Sequence, residues 1–64
     1  MPLTIVDGPQ IEDLDLKRVL VKEITDALEK AYGFKRESYI VIIRESLPEN
    51  VAVSGELILD RIRK

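Results

Sequence analysis

Residues 39–43 read Tyr39-Ile40-Val41-Ile42-Ile43, a β-branched run in which apolar and polar residues do not alternate. That pattern predicts a strand buried on both faces, as parallel strands are, with Ser38 before it and Arg44-Glu45 after. What lies upstream decides its pairing. The chain opens Met1-Pro2-Leu3-Thr4-Ile5-Val6, where Leu3–Val6 is a second strand-like run, and Asp7-Gly8-Pro9 predicts a turn that ends it. From Asp13 to Tyr32, residues Leu16, Val19, Leu20, Ile24, Ala27, Leu28 and Ala31 recur at spacings of three and four, which predicts a helix with one buried stripe. Asp13 suits its N-cap, Glu12 and Asp15 suit the positive end of the macrodipole, Lys30 suits the negative end, and Gly33 stands where a left-handed C′ residue is wanted.

Strand, helix and strand in that order predict a right-handed crossover and a parallel pair. After Ser46-Leu47-Pro48-Glu49-Asn50, the segment Val51–Gly55 reads as a short strand or hairpin arm with a flexible turn. Glu56–Lys64 reads as a short terminal helix with Leu57, Ile58 and Ile62 on one side. The fold class is therefore α/β (α+β): one domain over residues 1–64, a β-α-β unit with parallel strands, a short C-terminal hairpin and a helix.

At 64 residues a single core is marginal. The chain has no cysteine and no histidine, so disulfides are impossible and no metal site of the usual ligands is expected. Self-association is the remaining source of buried surface. One helix covers one face of a two-stranded sheet, and the other face, carrying every second residue of Leu3–Val6 and Ile40–Ile43, is an apolar patch of the kind that marks an interface. Copies are expected to pack sheet on sheet, with Val51–Val53 and the tail bridging neighbours. A net charge of −2 and only three aromatics, Tyr32, Phe34 and Tyr39, argue against nucleic acid as a partner. No apolar run is long enough for a membrane span and no signal peptide is visible, so a cytoplasmic protein is expected.

Pro2 supports two readings. It is a harmless strand starter, since a proline in first position removes a ladder bond that need not exist. Alternatively, trimming of Met1 leaves a free secondary amine. The leading Met1-Pro2, the helix with Lys17, Leu20 and Thr25, the Val41-Ile42-Ile43-Arg44-Glu45 ending of the second strand, and the closing Glu49-Asn50-Val51-Ala52-Val53-Ser54-Gly55-Glu56 segment together resemble the 4-oxalocrotonate tautomerase family, most of all its short archaeal and bacterial members. The resemblance covers almost the whole chain. It implies a homohexamer built as a trimer of dimers, an N-terminal proline acting as general base, and a small enol or dienol substrate converted to its ketone without a cofactor.

The chemistry can also be argued from the residues. A proton shuttle wants a group whose pKa lies near the working pH, and burial among apolar side chains such as Leu3, Ile40, Ile42 and Val51 would pull a secondary amine down toward it. Without histidine or cysteine, a trimmed Pro2 is the one good neutral-pH base candidate.

The match has gaps. Where the family has an arginine early in the second strand and another before the helix, this chain has Ile40 and Glu12; where it has an aromatic pocket wall, this chain has Val51. Candidate substrate-binding residues are Ile40, Val51, Arg44, Arg36 and Tyr39. Arg44 shares a face with Ile40 and Ile42 and can serve a neighbouring copy, or else pair with Glu45 or Glu49. Arg36 belongs either to the site or to a solvated Lys35-Arg36-Glu37 cluster, and Tyr39 either donates to a carbonyl oxygen or packs at a strand edge. Lys17 is expected on the helix's polar side. Glu45 and Glu56 can meet only if the tail folds back. Two alternatives to an isomerase stay open: a self-assembling domain without catalysis, and a related decarboxylase or hydratase that uses a charged prolinium as acid.

Overall fold

The computed structural model describes residues 1–62; the part of the terminal helix expected over residues 63–64 lies outside them. In chain order the elements are β1 (Leu3–Pro9), α1 (Leu14–Tyr32), β2 (Ile40–Ser46), β3 (Ala52–Val53), β4 (Glu56–Leu57) and α2 (Ile58–Ile62), with single 3-10 turns at Arg36–Ser38 and Pro48–Asn50. β1 and β2 pair in parallel from Leu3↔Ile40 through to Pro9↔Ser46, and β3 and β4 pair antiparallel. The β-α-β unit, the hairpin and the short helix stand as the sequence predicts.

Several details differ. Asp7-Gly8-Pro9 is not a turn but the last three rungs of β1, facing Arg44, Glu45 and Ser46. A proline is tolerated there because β1 is an edge strand and Pro9 is its final residue. β2 likewise begins at Ile40 and continues past Ile43 to Ser46, leaving Tyr39 just outside it. Its expected burial on both faces is absent in the single chain: Val41 and Ile43 turn half-buried toward the helix, while Ile40 and Ile42 stay exposed. Glu56 and Leu57 belong to β4, so the terminal helix starts only at Ile58.

The helix ends follow local chemistry. Asp13 Oδ1 accepts a hydrogen bond from the Asp15 N–H at 2.8 Å, and Gly33, at φ 75°, donates to the Glu29 carbonyl at 2.9 Å. The apolar stripe is wider than two strands can cover. Leu20, Ile24 and Leu28 are half-buried, whereas Leu16, Val19, Ala27 and Ala31 are exposed. Lys17 departs from the expected polar side and turns inward, because its Nζ lies 2.8 Å from Glu45 Oε1 at the end of β2. The other oxygen of Glu45 accepts the Ile11 N–H at 2.7 Å, so one carboxylate ties the strand end to both the loop and α1.

Ser54 and Gly55 have φ 53° and 78° between the paired residues Val53 and Glu56. Positive φ at both central positions defines a tight two-residue type I′ hairpin rather than a flexible turn. The Ile58 N–H then bonds the Val51 carbonyl at 2.8 Å. β3, β4 and α2 pack chiefly on one another and on the Pro48–Asn50 turn, forming an arm off the β-α-β body.

That arm gives the molecule extents of 47 × 24 × 13 Å and a radius of gyration of 15.4 Å, against about 11 Å for a compact chain of this length. No described residue is buried, and the accessible surface is 5152 Å², roughly 1,000 Å² more than a compact globule of this size exposes. The described residues of the single chain form two layers and no closed core. No helix among the described residues is long and apolar enough to cross a membrane.

Candidate active site

Pro2 immediately precedes β1, and its carbonyl accepts the Ile40 N–H at 3.0 Å, which extends the ladder by one rung. Met1 stands free of the fold at 86% exposure. Because side chains alternate along a strand, Pro2, Thr4 and Val6 share the helix-facing side with Val41 and Ile43. These residues are half-buried, as is Tyr39. Leu3, Ile5 and Asp7 share the open face with Ile40, Ile42 and Arg44, and all six are exposed.

The helix runs back along the sheet, so its C-terminal end and the following loop return to the Pro2 end. There Tyr39 serves the loop: its hydroxyl accepts from the Phe34 N–H at 2.9 Å and donates to the Phe34 carbonyl at 3.1 Å. The rings of Tyr32 and Phe34 stack with centroids 5.8 Å apart, and Tyr32 and Tyr39 lie 6.4 Å apart. The sequence does not group these rings by itself; the signal for their grouping is the left-handed Gly33, which folds Phe34 back on the helix end.

Arg36 sits in the same loop but faces α1, with its Nη1 2.9 Å from Asp26 Oδ1 and 3.2 Å from Glu29 Oε1. Hydrogen bonds from Lys22 and Arg36 hold the Asp26 carboxyl below its usual value. The guanidinium thus caps helix carboxylates and leaves little charge for a ligand. Glu12, before the helix, is exposed.

Arg44 and Val51 lie at the other end of the sheet. Arg44 stands across from Asp7 on the open face and has no ion-pair partner among the described residues. Glu45 points to the opposite side, where the Lys17 hydrogen bond, followed by the Ile11 N–H, holds its carboxyl below the usual value. Glu56 pairs with Arg61 at 3.1 Å. Val51 lines an open, mainly apolar cleft of about 380 Å³ with Asp7, Gly8, Pro9, Ser46 and Ile58. The nearest lining residue, Asp7, lies five residues along the strand from Pro2, about 16 Å at a strand's rise per residue. One chain therefore gathers Pro2, Ile40, Tyr39 and Arg36 at one end and Arg44 and Val51 at the other, and does not bring the two groups together.

Comparison with known proteins bears on what this arrangement is for. No curated protein matches the chain. Among solved structures, DmpI from Archaeoglobus fulgidus is 39% identical, with 92% of this chain and 100% of that one covered at a TM-score of 0.80. TomN, a 4-oxalocrotonate tautomerase homologue in the tomaymycin biosynthetic pathway, is 25% identical over 98% of this chain and 97% of that one, at a TM-score of 0.87. Another 4-oxalocrotonate tautomerase homologue is 27% identical over 94% of this chain and 95% of that one, at a TM-score of 0.86. The family model of tautomerase enzymes matches residues 2–61, beginning at Pro2 and ending within α2. With a match of that extent, the chain belongs to the tautomerase family.

Proposed function

We propose that the protein is a cofactor-independent keto–enol isomerase of the cytoplasm, in which removal of Met1 frees the Pro2 nitrogen to act as general base. The placement of Pro2 carries this reading. Its carbonyl is fixed by Ile40 at the sheet end while Met1 stands clear in solvent, so trimming leaves a rigid secondary amine beside apolar Leu3 and Ile40. A neutral ring nitrogen takes a proton from the substrate's enol oxygen or α-carbon. The prolinium so formed returns it elsewhere on the conjugated system, leaving the substrate's other atoms in place. Burial disfavours the charged amine and brings its pKa toward neutrality.

The single chain leaves this nitrogen half-open, and copies of the chain would close it. The homohexamer, a trimer of dimers, accounts for the absence of a core, and it allows the Val51 arm and Arg44 of neighbouring copies to complete the pocket at Pro2. Arg44, without an ion-pair partner among the described residues, would anchor a carboxylate there. Ile40 and Glu12, standing where the family resemblance implies arginines, favour a second reading as an assembly domain without catalysis.

The test is ketonisation of a panel of monoacid and diacid enols by protein whose intact mass shows loss of Met1, set beside Pro2→Ala. Removing the base should cost about 100-fold or more in kcat/KM. Equal rates for the two proteins on every substrate would leave the assembly reading.

A further inference from the structure

We propose that Glu45 is a positioning residue: held on the helix side by Lys17 and the Ile11 N–H, it fixes the end of β2 so that Arg44, the residue before it, is aimed from the open face at the substrate carboxylate of a neighbouring copy. The inference rests on the reading of Pro2 as base and Arg44 as anchor, and names what holds the anchor. The strand ends need holding. β1 and β2 finish on the rungs Asp7↔Arg44, Gly8↔Glu45 and Pro9↔Ser46, where Gly8 and Pro9 favour a turn and Pro9 has no N–H to give the ladder. Glu45 makes up the deficit with both oxygens: Oε1 lies 2.8 Å from Lys17 Nζ in α1, and Oε2 accepts the Ile11 N–H at 2.7 Å. With side chains 27% and 24% exposed, Lys17 and Glu45 are the most covered ion pair among the described residues, so water competes least for this one.

What Glu45 does on one face decides what Arg44 does on the other. Successive strand side chains point to opposite faces, so a carboxylate pinned to α1 turns the preceding guanidinium away from the helix. Spending both oxygens also withdraws Glu45 as a partner for Arg44, and Lys17 balances its charge. The remaining acid on the open face is Asp7, which stands across the ladder from Arg44 and forms no ion pair with it. Glu12 and Asp13 follow Ile11 in the adjoining loop and are exposed. A cation flanked by Asp7 serves a ligand only if its direction is set, because a strand end free to twist lets the guanidinium settle on the nearer carboxylate.

Exchange of the C3 protons of 2-oxobutanoate and of its methyl ester in deuterated water, followed by NMR with trimmed full-length protein, compares one substrate with and without its carboxylate charge. Glu45→Asp keeps the charge of residue 45 but shortens its reach, and Glu45→Gln removes the charge. If Glu45 aims Arg44, both should lower the ratio of kcat/KM for acid over ester by about threefold to tenfold, chiefly through KM. A carboxylate acting only by its field would leave the ratio unmoved in Glu45→Asp and raise it in Glu45→Gln; either result overturns the proposal. Arg44→Gln should lower the ratio at least about tenfold by itself and leave Glu45→Asp nothing further to lower. An unmoved ratio in Arg44→Gln, or losses that simply add in the double variant, overturns it as well. Light scattering gives the assembly state of each variant: if Glu45→Gln dissociates, Glu45→Asp decides, and if both dissociate the clamp belongs to the fold alone and the proposal falls. In each of these cases exchange that still depends on Pro2 upholds the base, whereas exchange by wild type no faster than by Pro2→Ala on either compound removes both readings.

Discussion

Replacing Ile42 by glutamate separates a chain that works alone from one that must be covered. Leu3, Ile5, Ile40 and Ile42 are 56%, 40%, 39% and 39% exposed on the open face of the sheet, which together leaves nearly two whole aliphatic side chains in water. At about 1.5–3 kcal/mol per fully buried side chain, covering that face stabilises each chain by roughly 3–5 kcal/mol, and a sheet-on-sheet contact gains this on both sides. If the chain worked as a monomer, Ile42→Glu would be a surface substitution worth within about 0.5 kcal/mol. In the proposed assembly it places an unpaired carboxylate in the contact, at a cost of several kcal/mol. Because no described residue is buried in the single chain, losing the contact should also lose the fold. Light scattering coupled to size-exclusion chromatography should therefore show Ile42→Glu at monomer mass, and circular dichroism should show its thermal transition lowered by well over 10 °C, given about 4–8 °C per kcal/mol for a domain of this length. Wild type should melt at lower temperature as it is diluted. An Ile42→Glu protein of wild-type mass that melts within about 3 °C of wild type would refute the reasoning.

Glu45→Gln tests the carboxylate that ties Lys17 and Ile11 to the strand end. Since the folded pKa of Glu45 lies below its unfolded value, its contribution is present above the unfolded pKa and lost as pH falls through the folded one. The variant should melt below wild type at neutral pH, and the difference should shrink in acid, with a residual acid slope from Asp26, which is shifted the same way. Gly33→Ala puts a Cβ on a residue at φ 75° and should cost about 1 kcal/mol in urea denaturation of the assembled protein at fixed concentration. Ile40→Arg restores a cation at the sheet end and should raise kcat/KM for a dicarboxylate dienol relative to a monoacid by roughly 10- to 100-fold, the worth of one charge-assisted contact; an unchanged ratio would place residue 40 outside the pocket. The rise of kcat/KM with pH, as the Pro2 amine loses its proton, should keep its midpoint within about 0.3 units between low salt and half-molar salt.

What the sequence displays well is whatever is decided within a few residues. Asp13 and Gly33 mark the helix ends because a cap and a left-handed turn act on adjacent backbone groups, and the β-α-β order follows from periodicity. What it hides depends on partners far along the chain. Asp7-Gly8-Pro9 has turn chemistry, yet pairing with Arg44–Ser46, some 37 residues later in the register, holds it extended. Lys17 has a helix-surface composition around it, and only Glu45, 28 residues away, turns it inward. Pro2 is legible as a candidate because the role proposed for it depends only on its place next to Met1. Its surroundings were less so: the aromatic corner needed the return at Gly33, and Val51 proves to lie at the far end of the same chain's sheet.

The two physical routes that depress an amine's pKa are a nearby cation and removal of water, and this chain has weakened the first at the Pro2 end. Ile40 carries no charge, and the Arg36 guanidinium lies against Asp26 and Glu29. In the proposed enzyme, depression of the Pro2 amine must then come mainly from apolar cover, which a body 13 Å thick with no buried residue among those described does not supply by itself. In the proposed enzyme the surface that closes the open sheet face and the surface that dries the nitrogen are therefore parts of one assembly, so that association sets both stability and basicity. A pKa governed by burial is nearly indifferent to ionic strength, whereas one governed by a cation is screened by it. That difference makes the salt dependence of the pH midpoint the direct measure of which route operates: a midpoint that climbs with salt would mean that Arg44 of a neighbouring copy, proposed to anchor the substrate's carboxylate, also lies close enough to the amine to take over the part that Ile40 cannot play.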